Sequence, residues 1–232
     1  MRKLIMVCTL LSFLFGPRIV EATVREGVYA GAGYGGTYDF LEYKATNLLN
    51  CNVVKKSKNR FHSLGTVFIG YGHTFNSCNG NVYLGAELGT SFPKRRVTVR
   101  RPGATFTGQT FTDHMSVQEY VNLDLLPGFR FFCDDLLFYA RVGASYAHLQ
   151  FSQDANAAAN LTALHKKSDE WGLRVGTGIN YAFCDWLGVA LDYIYTGYPD
   201  ISKIRRSTST KHAQKTHTQY IGVSLIFNFP KR

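Results

Sequence analysis

Apolar and polar side chains alternate one for one along most of this chain. From Val82 onward, Val82, Leu84, Ala86 and Leu88 fall on one side, and Gly85, Glu87 and Gly89 on the other. Val121, Leu123, Leu125, Phe129 and Phe131 oppose Asn122, Asp124, Gly128 and Arg130 in the same way. Between Trp171 and Tyr181, apolar Trp171, Leu173, Val175, Ile179 and Tyr181 oppose Gly172, Arg174, Gly176, Gly178 and Asn180. Successive side chains of a β-strand point to opposite faces, so a period of two marks strands with one apolar face and one face rich in glycine and charge. The pattern predicts strands near 27–42, 61–75, 82–99, 115–132, 136–151, 169–182, 187–198 and 217–229. Most exceed the ~5–6 residues of an ordinary globular strand. They suit a tilted membrane crossing of roughly 9–11 residues with extensions into water.

The connections alternate in length. Short turns at Asn76–Asn81, Cys133–Asp135 and Cys184–Trp186 join the second strand to the third, the fourth to the fifth and the sixth to the seventh. The stretches near 43–60, 100–114, 152–168 and 199–216 are long and polar. Strand number, alternation and this asymmetry predict an all-β fold, an eight-stranded antiparallel transmembrane β-barrel with short periplasmic turns and long external loops. The competing architecture is a soluble barrel or sandwich, which hides its apolar face and shows a polar one to water. The glycine-rich second face suits a narrow lumen better than a solvated exterior.

Composition agrees. The 232 residues include 22 Gly, 14 Tyr and 17 Phe but only 6 Pro. Mean hydropathy is −0.11, as expected when apolar and polar positions alternate. After the N-terminus no run approaches the ~20 apolar residues of a membrane helix. The first residues read as an export signal: Arg2 and Lys3, an apolar Leu4–Phe15, then Val20-Glu21-Ala22 as a cleavage site. The expected division is a signal peptide over 1–22 and a barrel domain over 23–232. Cys8 would leave with the signal. Cys51, Cys78, Cys133 and Cys184 would remain, an even number that permits disulfides without specifying them.

The last strand carries the most specific motif. Tyr220, Gly222, Leu225, Phe227 and Phe229 resemble the barrel-assembly signal of bacterial outer-membrane proteins, an aromatic followed by Gly and alternating hydrophobics to a terminal aromatic. Pro230, Lys231 and Arg232 follow, where such signals usually end. Gly172–Tyr181 and Leu187–Tyr195, the latter with an acid before Tyr193-Ile-Tyr195, resemble the outer-membrane protein A and opacity-adhesin superfamily. The resemblance implies location in a Gram-negative outer membrane after signal cleavage. It also implies outer-membrane lipid, lipopolysaccharide and the barrel-assembly machinery as partners. No second domain is expected after the barrel, so a peptidoglycan-binding role is not implied.

Parity directs Glu87, Asp124, Asp192, Arg130, Arg141 and Arg174 into the lumen. An arginine facing the lipid midplane costs about 2–4 kcal/mol, so opposite charges are expected to pair inside. A structural ion-pair plug and a narrow ion path are both consistent with this set. Tyr34, Tyr71, Tyr146, Trp171, Tyr181, Trp186, Tyr193 and Tyr195 are candidates for interfacial belts.

The net charge of +10 concentrates in the expected external loops. Lys55, Lys56, Lys58 and Arg60 lie in the first; Lys94, Arg95, Arg96, Arg100 and Arg101 flank the second; Lys203, Arg205 and Arg206 lie in the fourth. Such clusters attract lipid phosphates or host anionic glycans and matrix. Nucleic acid is not an expected partner of an exported chain without a nucleic-acid-binding motif. No C-x-x-C spacing marks a metal site, and no cofactor is expected. His217 with Ser224 is the one crude candidate for a base and a nucleophile, but its spacing fits no clear catalytic pair. The expected function is that of an integral outer-membrane barrel with structural and adhesin-like surface roles and no enzymatic activity. A small ion-conducting porin and a lipid A-modifying enzyme are the alternatives.

Overall fold

The computed structural model describes residues 25–49, 51, 53–77, 80–102, 110–131, 135–154, 164–205 and 210–229. Every regular element in them is a β-strand: β1 Gly27–Asn47, β2 Val53–Ser77, β3 Gly80–Phe92, β4 Arg95–Pro102, β5 Thr110–Phe131, β6 Leu136–Gln153, β7 Leu164–Cys184, β8 Leu187–Gly197, β9 Ile201–Arg205 and β10 Thr210–Asn228. All ladders are antiparallel, and the order β1-β2-β3-β5-β6-β7-β8-β10 closes through β10 onto β1. Eight staves therefore form the ring. β4 continues the stave of β3 beyond Pro93, and β9 continues that of β8 beyond Pro199.

The described parts of the expected external loops are largely strand. β1 and β2 run to Asn47 and from Val53, β6 and β7 to Gln153 and from Leu164, and β10 begins at Thr210. The polar composition of these stretches misleads because the two faces exchange character part-way up the wall. Lower down, Leu123, Leu125, Val175, Leu191, Val223 and Leu225 point outward and are exposed, while Asp124, Arg174, Asp192 and Ser224 are buried inside. Higher up, Leu41, Tyr43, Val97, Val99, Met115, Val117, Leu149 and Phe151 turn inward, whereas Glu42, Lys44, Lys94 and Arg96 face out. Strands that keep one period and swap their polar face cross from a membrane-facing wall to a water-facing one.

The upper wall also divides. β2 pairs with β3 only up to Gly65↔Phe92, and β7 with β8 only up to Leu173↔Gly197. Above those points β4-β5-β6-β7 form one four-stranded sheet and β2-β1-β10-β9 another. Their facing sides share one apolar core: Leu41, Tyr43, Ala45 and Ile201 come from one sheet, and Val97, Val99, Met115, Val117, Ala147, Leu149 and Phe151 from the other. The membrane barrel thus carries a sandwich-like extension, which an isolated external loop could not sustain.

Close packing of the lumen needs glycine at the closing seam. Gly35 sits opposite Gly222, and a Cβ on Gly35 would clash with the Ile221 carbonyl oxygen and the Gly222 Cα. Phe229 completes the seam, its N–H donating to the Val28 carbonyl at 3.0 Å.

Candidate functional site

Two regions carry chemistry: the charged lumen and the basic outer wall. In the lumen, strand parity presents Glu87 on β3, Asp124 on β5, Arg141 on β6, Arg174 on β7 and Asp192 on β8. Arg141 joins them. Its Nη1 lies 2.7 Å from both Glu87 Oε2 and Asp124 Oδ2, and its Nη2 lies 3.2 Å from Asp192 Oδ1. Arg174 Nε reaches Asp124 Oδ1 at 3.1 Å, and the Tyr139 hydroxyl donates to Asp192 at 2.7 Å. Burial strengthens these contacts and makes an unpaired member costly. Arg130 lies apart, pairing with Glu26 at 2.9 Å near the short-turn end.

The network extends past the residues that parity selects. Arg25 is fully buried, with Nη1 2.8 Å from Glu87 and Nη2 3.1 Å from the Tyr139 hydroxyl. Its guanidinium also lies over the rings of Tyr29, Phe68 and Tyr139. At the other end Arg95 pairs with Glu119 at 2.7 Å and Asp39 at 3.4 Å, and His62 meets Asp39 at 2.9 Å. Arg174 links the halves, 3.9 Å from Glu119. Acids and bases therefore alternate without a break from Arg25 to His62. Arg95 differs from its sequence assignment as an exposed loop base: it is buried inside the wall.

Each missed member has a physical reason. Arg25 precedes the first strand pattern. Glu119 turns inward because a register shift between Glu119 and Val121 reverses parity in β5. Arg95 follows Pro93, where β3 ends, yet the parity of β3 carried past the proline would have placed it inside. Around Glu119, burial favours the neutral acid, but Arg95 and Arg174 outweigh it and hold the carboxyl down at about 2.

Small spaces remain in this filled interior. A polar cavity of about 30 Å³ is bordered by Glu87, Asp124, Arg141, Arg174 and Tyr220. Ser224 faces the lumen, whereas His217 stacks on Phe40 at 4.8 Å, so the structure does not bring that pair together as a nucleophile and base. Among the described residues no group of three or more His, Cys, Asp or Glu side chains is arranged to hold a metal. Cys51 and Cys184 are free thiols; Cys78 and Cys133 lie outside the described residues.

Outside, Tyr38, Phe61, Phe92, Tyr120 and Trp171 are exposed at the upper edge of the apolar band, while Phe75, Phe131, Phe138, Trp186 and Phe229 mark its lower edge. Tyr146 and Tyr195, both half-buried, lie at the same upper edge; Tyr34 is exposed further down β1. In the assembly motif, Tyr220 and Gly222 face the lumen and Leu225, Phe227 and Phe229 face out. Lys55, Lys56, Lys58 and Arg60 are exposed on the upper half of β2, and Lys94, Arg96 and Arg100 on or beside β4. The side chains of Arg101, Lys203, Arg205 and Arg206, together with the expected signal peptide, lie outside the described residues.

A closed antiparallel ring with an apolar exterior, aromatic edges and a charged interior defines an integral membrane β-barrel. The chain belongs to the outer membrane protein beta-barrel domain family, whose match spans residues 6–227, and its place is the outer membrane. An uncharacterized protein of Coxiella burnetii is 31% identical over 107 residues, which span 39% of this chain and 40% of that protein. The outer membrane protease OmpT from Escherichia coli shares the fold: TM-score 0.53, 8% identity, 91% of this chain and 99% of that one. Ail, the attachment invasion locus protein of Yersinia pestis, aligns at TM-score 0.35 with 14% identity over 87% of this chain and 99% of its own.

Proposed function

We propose that the protein is a non-enzymatic outer-membrane barrel that stiffens the membrane and binds polyanionic glycans through its external basic wall. The observation that carries this reading is the outer part of β2. From Val53 to Arg60 this strand pairs with β1 alone among the described strands. Lys55, Lys56, Lys58 and Arg60 are exposed there, although successive residues point to opposite faces. Lysines guard a free edge against pairing with another chain. Here they also present cations on both faces of one strand, a geometry that an extended sulfated or carboxylated polymer can follow.

The continuous lumen network supports a plugged barrel over an open porin, since an eight-stranded ring is just wide enough for side chains to fill it. The test is heparin binding by the refolded protein across a salt series. Lys55→Gln, Lys56→Gln and Lys58→Gln combined are expected to weaken binding and flatten its salt dependence, with the heat-modifiable fold retained. Unchanged binding in the triple variant would remove the glycan reading. Discrete openings in planar bilayers would remove the plugged reading.

A further inference from the structure

We propose that the outer half of β7, Leu164–Gly172, is a docking edge that takes an extended segment of a soluble protein as an added antiparallel strand, the segment carrying two bases followed, one residue later, by two acids. The proposal rests on the divided upper wall and not on the glycan reading. β7 pairs with β8 only as far as Leu173↔Gly197, and β9 keeps to β10, so Leu164–Gly172 pairs with β6 alone among the described strands. The split opens at Gly172, where the Tyr198 ring lies against the glycine and its hydroxyl donates to Glu119 at 3.0 Å. Above that point every second backbone N–H and C=O of β7 points away from β6, the arrangement that accepts another strand.

The side chains along this edge are ordered by charge. Lys166 and Lys167 are followed by Ser168 and then by Asp169 and Glu170. Lys167 and Asp169 are exposed on the outer face, and Lys166, Ser168 and Glu170 are half-buried on the inner one. His148 holds Asp169 at 2.7 Å, and Ser168 Oγ donates to Glu170, which fixes both carboxylates in place. The free edge of β2 carries charge of one sign, which repels a strand like itself. The β7 edge has no such guard. A strand running the other way with the same charge order sets each base opposite an acid, on both faces at once. Two copies in one membrane cannot use this match, because antiparallel pairing about Ser168 would turn one barrel upside down. A strand of a soluble partner is free of that constraint.

The test measures the anisotropy of dye-labelled peptides on the full barrel in detergent. The first probe copies Leu164–Gly172, whose charge order is its own antiparallel complement. The second exchanges the bases and acids of the first in place. The first is expected to bind, and the second to bind about tenfold or more weakly, since four opposite-charge pairs across the strands become like-charge ones. Lys166→Glu, Lys167→Glu, Asp169→Lys and Glu170→Lys combined should reverse the preference, with a heat-modifiable band showing that the barrel has closed. The Lys55→Gln, Lys56→Gln, Lys58→Gln variant should bind the first peptide like wild type, which separates this edge from the glycan surface. Two further copies of the first peptide carry N-methyl groups on alternate residues, in opposite phases. Only one phase removes the donors aimed at β7, so one copy is expected to bind and the other to fail. Equal binding of the two charge orders overturns the proposal, and so does equal binding of the two methylated copies. Dimers of the wild-type barrel that the charge exchange abolishes would assign the edge to a second copy and overturn the soluble partner.

Discussion

Arg141→Gln is the sharpest perturbation of the lumen network. In the wild type its guanidinium serves Glu87, Asp124 and Asp192 at 2.7, 2.7 and 3.2 Å, with a side chain only 6% exposed. After substitution Glu87 keeps Arg25 at 2.8 Å and Asp124 keeps Arg174 at 3.1 Å. Asp192 retains the Tyr139 hydroxyl at 2.7 Å and no guanidinium among the described residues. Removing one partner from a buried ion pair costs about 3–5 kcal/mol, because the remaining charge stays uncompensated. Asp192→Asn alone leaves Arg141 two carboxylates and loses one charge-assisted hydrogen bond, a cost of about 1.5–3 kcal/mol. The double variant should therefore be less damaged than the sum of the singles, since it no longer buries the stranded carboxylate. Urea titration in phospholipid vesicles measures this, with Trp171 and Trp186 on the lipid-facing wall as fluorescent reporters. An Arg141→Gln protein within about 1 kcal/mol of wild type would refute the argument. Strictly additive single and double variants would refute the coupling.

Three further outcomes follow from the packing. Gly35→Val drives its side chain into backbone at the β1–β10 seam, so the heat-modifiable closed form should fall sharply on gels. Leu123→Arg places charge on the lipid face and should cost about 2–4 kcal/mol in vesicle unfolding, depending on depth. Leu149→Arg should damage the external core instead, while Gln150→Arg, one residue on and facing out, should be nearly silent in the same assay. Glu119 has a depressed folded pKa of about 2, so its contribution is fully present above the ordinary carboxylate range and fades as pH falls toward that value. The stability gap between wild type and Glu119→Gln should accordingly narrow between pH 5 and pH 2; a gap independent of pH would contradict the assignment.

Much of the architecture was legible because membrane walls obey a strict period of two. Leu84, Glu87, Leu123, Asp124, Leu173 and Arg174 all lie on the faces that alternation assigns them. Alternation also identified eight staves. It did not show the upper wall, because parity there continues while the apolar side moves from outside to inside. Leu41, Tyr43, Leu149 and Phe151 lie among polar outward neighbours, so local composition resembles a loop. Glu119 was hidden by a bulge and Arg25 by its place ahead of any pattern. The division into two sheets depends on which ladders stop at Gly65 and Leu173, a long-range property that periodicity does not encode.

Spin-label accessibility tests the exchange of faces most directly. Single cysteines would be introduced in a background lacking the native ones at Leu123 and Leu173 in the lower wall, and at Leu149 and Gln150 in the upper. Collision with dissolved oxygen is expected at 123 and 173, collision with a water-soluble nickel chelate at 150, and neither at 149. Nickel access at 123 and 173, or oxygen access from lipid at 150, would contradict a membrane barrel that continues outward as a water-facing sandwich.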